Sequence, residues 1–300
     1  MTSPQIERVI AATVAGREQL GGRAPGLAER RRRMEAGAER MPAPPGVTVD
    51  AVDVDGVACE WLRPSEIEGD GALLYFHGGG YAVGGLGTHQ KMIGFIASSA
   101  RLPALSVGYR LAPEHPYPAA LDDGAAVLSW LANNGVPIDR VVIAGDSAGG
   151  GLAAAMCCVA REGASSMPRA LVLMSPWLDM AAADEQEDDA PVDDPIVTRG
   201  NLRELRDWYV DDDHRLDLLA SPLRADLTGF PPTLIQVGER ELLRADAIRF
   251  AERLRASGVD ARCDVWDGMV HVWQFYAGVV PEANDAITAI GEWLRTATVP

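Results

Sequence analysis

Residues 141–149 read Val141-Val142-Ile143-Ala144-Gly145-Asp146-Ser147-Ala148-Gly149, and this stretch decides the fold. The run Val141–Ala144 is apolar, β-branched at its start and bounded by glycine, which suits a buried strand. The alanine-rich stretch over 147–162 suits a helix. A serine between the two lies on a sharp strand-to-helix turn, with the G-x-S-x-G spacing of a nucleophile elbow. The spacing has a steric cause: bulky side chains two residues either side of the serine would clash across the turn. The turn lifts the hydroxyl above the sheet edge. It also sets the Ala148 N–H at a helix N-terminus, where negative charge is stabilised.

A second pattern overlaps this one. Gly149-Gly150-Gly151-Leu152-Ala153-Ala154 fits G-x-G-x-x-A, a dinucleotide fingerprint. The next strand ends near Met174-Ser175, with no acidic residue there to hold a ribose. These glycines are therefore read as allowing close helix–strand packing.

Outward from the elbow, short apolar runs alternate with helical stretches. Strands are expected at Ala72–Phe76, Ala104–Tyr109, Ala170–Met174, Thr233–Val237 and Arg262–Trp266, beside Val141–Ala144. Helices fit near 88–101, 118–133, 244–257 and 284–296. Such alternation makes a mostly parallel, doubly wound α/β sheet. Asp55-Gly56 joins the runs 47–54 and 57–62 as a hairpin, so the sheet has an antiparallel start. Upstream, Ile6, Val9, Ile10 and Val14 share a helical face over 5–20, and a second helix follows from Leu27 to Glu39, before Pro42, Pro44 and Pro45. Residues 1–45 are expected to form a helical cap segment on a catalytic domain spanning 46–300. The interruption over 180–230, with a helix near 199–210, should contribute to that cap.

Two further motifs follow strand ends. His77-Gly78-Gly79-Gly80-Tyr81 comes directly after Ala72–Phe76. Its small residues let backbone N–H groups approach a developing alkoxide, so it is read as an oxyanion loop, with His77 bracing it. Gly268-Met269-Val270-His271 comes after the last strand. A serine hydroxyl needs a base, and His271 is the histidine placed to be one. His89 and His214 lie near the expected cap segments, and His115 lies in a proline-rich turn.

With Tyr109-Arg110-Leu111-Ala112-Pro113-Glu114-His115-Pro116, these motifs resemble the hormone-sensitive-lipase-like bacterial carboxylesterases, from about residue 72 onward. The resemblance implies an α/β-hydrolase fold with a helical cap, no cofactor, and hydrolysis of short- to medium-chain acyl esters through a serine acyl-enzyme. It implies Gly79, Gly80 and Ala148 as backbone oxyanion donors, and a structural role for Glu114, bracing loops beneath the site. Many members carry Asp-Pro-Leu-Arg-Asp after the penultimate strand; here the chain reads Gly238-Glu239-Arg240-Glu241-Leu242-Leu243-Arg244-Ala245-Asp246. Aligning Leu243 and Arg244 with the Leu and Arg of that motif makes Glu241 the triad acid beside Ser147 and His271. Asp246 and Glu239 stand as alternatives. A lactonase or acyltransferase would use the same machinery. A silent ligand receptor on this fold is disfavoured because His271 is in place.

The remaining composition narrows the partners. The formal net charge of −16 repels phosphate backbones, which argues against nucleic acid. The run Arg30-Arg31-Arg32-Arg33 opposes that trend and is read as a solvated helix face. No apolar stretch approaches the ~20 residues of a membrane span. The N-terminal residues lack a secretory pattern, so a cytoplasmic location is expected, with Cys59, Cys157, Cys158 and Cys263 reduced in the core. The acidic stretch Asp184 to Asp194 is read as a solvated linker and not as a cation site, since Pro191 and Pro195 keep it extended. Trp208, Tyr209 and Met269 are candidates for an acyl pocket, although plain core is the commoner use of such side chains. The expected partner is a small-molecule ester, with a homodimer left open and no metal required.

Overall fold

The computed structural model describes residues 2–19, 25–163, 166–181 and 194–297. Eight strands form one sheet: β1 (Val47–Val54), β2 (Val57–Pro64), β3 (Ala72–Phe76), β4 (Ala104–Val107), β5 (Val141–Asp146), β6 (Ala170–Met174), β7 (Thr233–Gly238) and β8 (Ala261–Trp266). Their spatial order is β1-β2-β4-β3-β5-β6-β7-β8. β1, β2 and β4 pair antiparallel, and every later pairing is parallel. The strand expected at Ala104–Tyr109 stops at Val107. Gly108 N still donates to Ala58 O of β2 at 2.9 Å, one residue past the end of β4.

The helices are α1 (Pro4–Gln19), α2 (Leu27–Glu39), α3 (Leu86–Ala100), α4 (Ala119–Asn133), α5 (Ser147–Gly163), α6 (Arg199–Tyr209), α7 (Arg244–Ala256) and α8 (Pro281–Ala297). β3, β5 and β6 are buried along their whole length, because helices cover both faces of the sheet. One core cluster joins Phe76, Ile143 and Leu173 to α4, α5 and α7. The opposite face packs Tyr75, Ala144 and Val172 against α3 and α8. A third cluster seats Ile6 and Ile10 of α1 on Met269, Val270 and Trp273.

The parallel register brings the C-terminal ends of β3, β5, β6, β7 and β8 to one edge, with Phe76 beside Gly145, Asp146 beside Met174, and Gly238 beside Trp266. Ligand sites of open α/β sheets lie at this edge. Most of the acidic stretch Asp184 to Asp194 lies outside the described residues. Asp194 itself is described, and it is buried. Its Oδ1 accepts from Ile196 N and Val197 N, and its Oδ2 accepts from Leu242 N at 3.0 Å. At that residue the expected solvated linker is replaced by a buried carboxylate satisfied by backbone donors.

Candidate active site

Ser147 stands at the junction of β5 and α5 with φ 52°. A left-handed non-glycine residue costs roughly 1–2 kcal/mol and persists only where its surroundings hold it. The glycines around it explain how. A Cβ on Gly145 would lie 2.2 Å from Gly149 O, and one on Gly149 would lie 2.1 Å from Phe76 O. A Cβ on Gly151 would lie 2.3 Å from Trp177 O. The triple glycine therefore serves close backbone packing, as its sequence reading expected.

Ser147 Oγ lies 2.9 Å from His271 Nε2, and His271 Nδ1 lies 2.9 Å from Glu241 Oε2. The carboxylate only accepts, so Nδ1 donates, and the neutral ring turns its Nε2 lone pair to the serine hydroxyl. Glu241 follows β7 and is buried. Its other oxygen, Oε1, accepts from Gly238 N at 2.5 Å and from Ser175 Oγ at 2.7 Å. Ser175 Oγ in turn accepts from Val272 N at 3.0 Å, tying Glu241 to the histidine loop. Sequence reasoning missed Ser175. Its signal was a polar residue at the C-terminal end of a buried parallel strand, one strand from the elbow.

Burial alone would lower the His271 pKa. The Glu241 hydrogen bond and charge, helped by Asp194 and Asp146, outweigh it and hold the imidazole above its ordinary value. The two alternative acids are engaged elsewhere. Asp246 is buried in the first turn of α7, 3.1 Å from Arg249, and burial pushes its carboxyl up to about 6. Glu239 Oε2 accepts from Gly268 N at 2.8 Å.

The glycine loop after β3 has φ 120° at Gly79 and 61° at Gly80. Gly79 O accepts from Ala82 N and Val83 N at 3.1 and 3.0 Å, closing a tight turn. Gly78 N donates to Asp146 Oδ1 at 2.9 Å, which also accepts from Tyr75 Oη at 2.8 Å. The loop is thus fastened to the elbow from behind. His77 Nδ1 contacts Gly78 O at 2.8 Å and its ring stacks on Tyr109. Burial, with His89 nearby, pushes the His77 pKa down to about 3, so its ring is neutral at ordinary pH. His89, expected near the cap, lies in α3 with Nε2 3.4 Å from Asp146 Oδ2.

A cavity of about 410 Å³ opens in front of Ser147 and His271, lined by Met34 of α2, Val83, Ile196 and Val197, Leu202 and Leu205 of α6, Val272 and Phe275. The candidates named from sequence do not line it. Met269 is core beneath α1, Tyr209 is buried against Tyr81 with ring centroids 3.7 Å apart, and Trp208 lies under the Arg30 guanidinium. Helical periodicity shows that a side chain is buried, not which neighbour buries it. The arginine run divides in the same way. Arg32 and Arg33 pair with Glu29 and are largely exposed, but Arg33 also lines the cavity, as does Arg30, which is largely buried and pairs with Glu204 of α6. Arg31 reaches Glu114 and holds its carboxylate down at about 2. Through Arg31, Glu114 ties the turn at 112–114 to α2 at the surface. Among the described residues, no group of three or more His, Cys, Asp or Glu side chains could hold a metal ion.

Residues 73–275 match the alpha/beta hydrolase fold family. The chain is 38% identical over 255 residues to an acetyl-hydrolase of Streptomyces hygroscopicus, covering 85% of this chain and 84% of that protein. It is 38% identical over 225 residues to a carboxylesterase of Mycobacterium tuberculosis, covering 71% and 70% of the two chains. The crystal structure of an esterase from the bacterial hormone-sensitive lipase family superposes with a TM-score of 0.92 at 38% identity, over 100% of both chains. Fold and relatives together define a serine hydrolase of the α/β class. The chain belongs to the alpha/beta hydrolase fold family, among the hormone-sensitive-lipase-like esterases, and it is a carboxylic-ester hydrolase.

Proposed function

We propose that Ser147, His271 and Glu241 are the catalytic triad, that the N–H groups of Gly79, Gly80 and Ala148 form the oxyanion hole, and that the substrates are short- to medium-chain acyl esters. The observation that carries this is the unbroken chain from Ser147 Oγ to His271 Nε2 and from His271 Nδ1 to Glu241 Oε2, each link 2.9 Å. His271 takes the hydroxyl proton as Oγ attacks the ester carbonyl, and Glu241 stabilises the imidazolium that forms. The carbonyl oxygen, now negative, meets the loop and elbow N–H groups. Collapse breaks the bond to the alkoxy oxygen, which leaves as the alcohol with the proton from His271. Water then attacks the acyl-enzyme, again giving up its proton to His271, and the acid is released.

The apolar cavity supports the chain-length reading. At about 410 Å³ it falls in the small-ligand range. α2 and α6 both line it, which supports reading residues 1–45 and 180–230 as a cap. The four cysteines are unbridged, which supports action in the reducing cytoplasm. No helix of the described residues is long and apolar enough to cross a membrane. A nitrophenyl ester series tests the substrate reading: the fastest turnover is expected between about two and eight acyl carbons. Faster turnover on a sixteen-carbon than on a four-carbon ester overturns it.

A further inference from the structure

Arg31 makes four hydrogen bonds from α2, and none of them serves the chemistry described above. Nε donates to Ala82 O at 2.9 Å and Nη2 to Ala112 O at 3.1 Å, while Nη1 and Nη2 each reach a Glu114 oxygen at 2.7 Å. Ala112 N donates to Tyr81 O at 2.8 Å. One guanidinium thus closes a ring with residues 81–82 and 112–114. Ala82 and Ala112 are fully buried.

The segment so held runs through consecutive positive φ angles. Gly79, Gly80 and Tyr81 run through φ 120°, 61° and 59°, three consecutive left-handed residues. The two glycines take such angles freely, but Tyr81 carries a Cβ and keeps its left-handed backbone only where its surroundings over-determine it. From the side of the cavity, Leu205 of α6 packs so closely on Gly80 that a Cβ there would lie 2.5 Å from its Cδ1. From the other side, the turn that ends at Ala82 and Val83 is fastened by Arg31. A surface ion pair alone contributes little. The two buried carbonyls set this arginine apart, because they have to be met by a donor of fixed geometry.

We propose that Arg31 is a positioning residue for hydrolysis: by holding the Ala82 and Ala112 carbonyls it keeps the Gly79–Val83 turn in the conformation that presents the oxyanion donors. The helix α2 is then part of the catalytic assembly as well as a wall of the cavity. This rests on the assignment of Gly79 and Gly80 as oxyanion donors.

The test uses the full chain with Arg31→Met, Arg31→Lys and Glu114→Gln, and Ser147→Ala in parallel. Steady-state kinetics on a four-carbon nitrophenyl ester are read beside inhibition by a phenylboronic acid, whose anionic tetrahedral serine adduct places a boronate oxygen in the oxyanion hole. Arg31→Met is expected to lower kcat at least about tenfold with KM within about threefold, and to raise the boronate Ki in proportion. Arg31→Lys, which keeps charge without the fork, should fall between Arg31→Met and the parent. Glu114→Gln leaves both carbonyl bonds and should cost less than Arg31→Met. The proposal is overturned if Arg31→Met keeps kcat and Ki within about twofold, or if a rise in KM alone accounts for the loss. Should Arg31→Met fail to fold, Arg31→Lys is decisive: a kcat and Ki equal to the parent's overturn the proposal, and a matched loss in both sustains it. An active Ser147→Ala would instead overturn the reading of the site, independently of Arg31.

Discussion

Glu241 spends both of its oxygens: one on His271, the other on Gly238 N and Ser175 Oγ. In the proposed triad a glutamate so fixed can take the place of an aspartate despite its extra methylene, since the acid's work is to orient the imidazole and offset its charge. Glu241→Gln is expected to cost at least about a hundredfold in turnover without unfolding the enzyme, while Asp246→Asn and Glu239→Gln stay within about threefold. A larger loss in Asp246→Asn would contradict the assignment. The raised His271 pKa makes a separate prediction. A base that holds its proton longer begins to act at higher pH, so the acid limb of kcat/KM should lie above the ~6.5 of an ordinary imidazole. Glu241→Gln should move it down; a limb that stays in place would mean that Glu241 does not touch the base in solution. The same shift bears on stability. The folded chain binds the His271 proton more tightly than the unfolded one, so this contribution is complete below pH ~6.5 and is lost as pH rises through the folded value. At this scale the meeting of Ser147, His271 and the glycine loop at one sheet edge was legible, because each lies in a short motif at a strand end. Ser175 and Asp194 were not, because their partners lie 66 and 48 residues away in the chain.

Elements were legible to within a few residues wherever local pattern decides them: β3 and β6 fall at the expected bounds, and among the strands β4 alone stops early. What local pattern does not carry is the face each helix turns to the cavity. From α6 the cavity is lined by Leu202 and Leu205, one turn before the Trp208 and Tyr209 named from sequence. Leu205→Ala is accordingly expected to deepen the cavity and raise the eight-carbon to four-carbon rate ratio, by about threefold or more on the scale of a few buried methyl groups; an unchanged ratio would remove α6 from the acyl wall. The elbow is a second element-scale test. Gly149→Ala puts a Cβ against the Phe76 carbonyl, a backbone atom that cannot swing away. Thermal melting should drop by at least about 5 °C. Gly87→Ala in α3, where an added Cβ meets nothing within 4 Å, should leave melting unchanged or slightly higher. Equal behaviour of the two variants would mean that the turn is not packed as described.

The whole molecule unites one sheet edge with two helices from distant parts of the chain. The motifs at 77–80, 145–149 and 268–271 converge because parallel pairing puts every strand's C-terminal end on the same side. That convergence was legible from the strand–helix alternation. The docking of α2 was not, since an arginine run in an acidic chain reads as solvated until Glu204, Glu114 and the carbonyls it meets are brought alongside. The central claim is that this assembly hydrolyses esters through Ser147. Its most direct test is the turnover of Ser147→Ala on a four-carbon nitrophenyl ester, with circular dichroism and melting matched to the parent. The account predicts a fall on the order of 10³-fold or more, leaving what binding and the oxyanion donors supply unaided. A folded Ser147→Ala enzyme that kept more than about a tenth of the parent's turnover would contradict it.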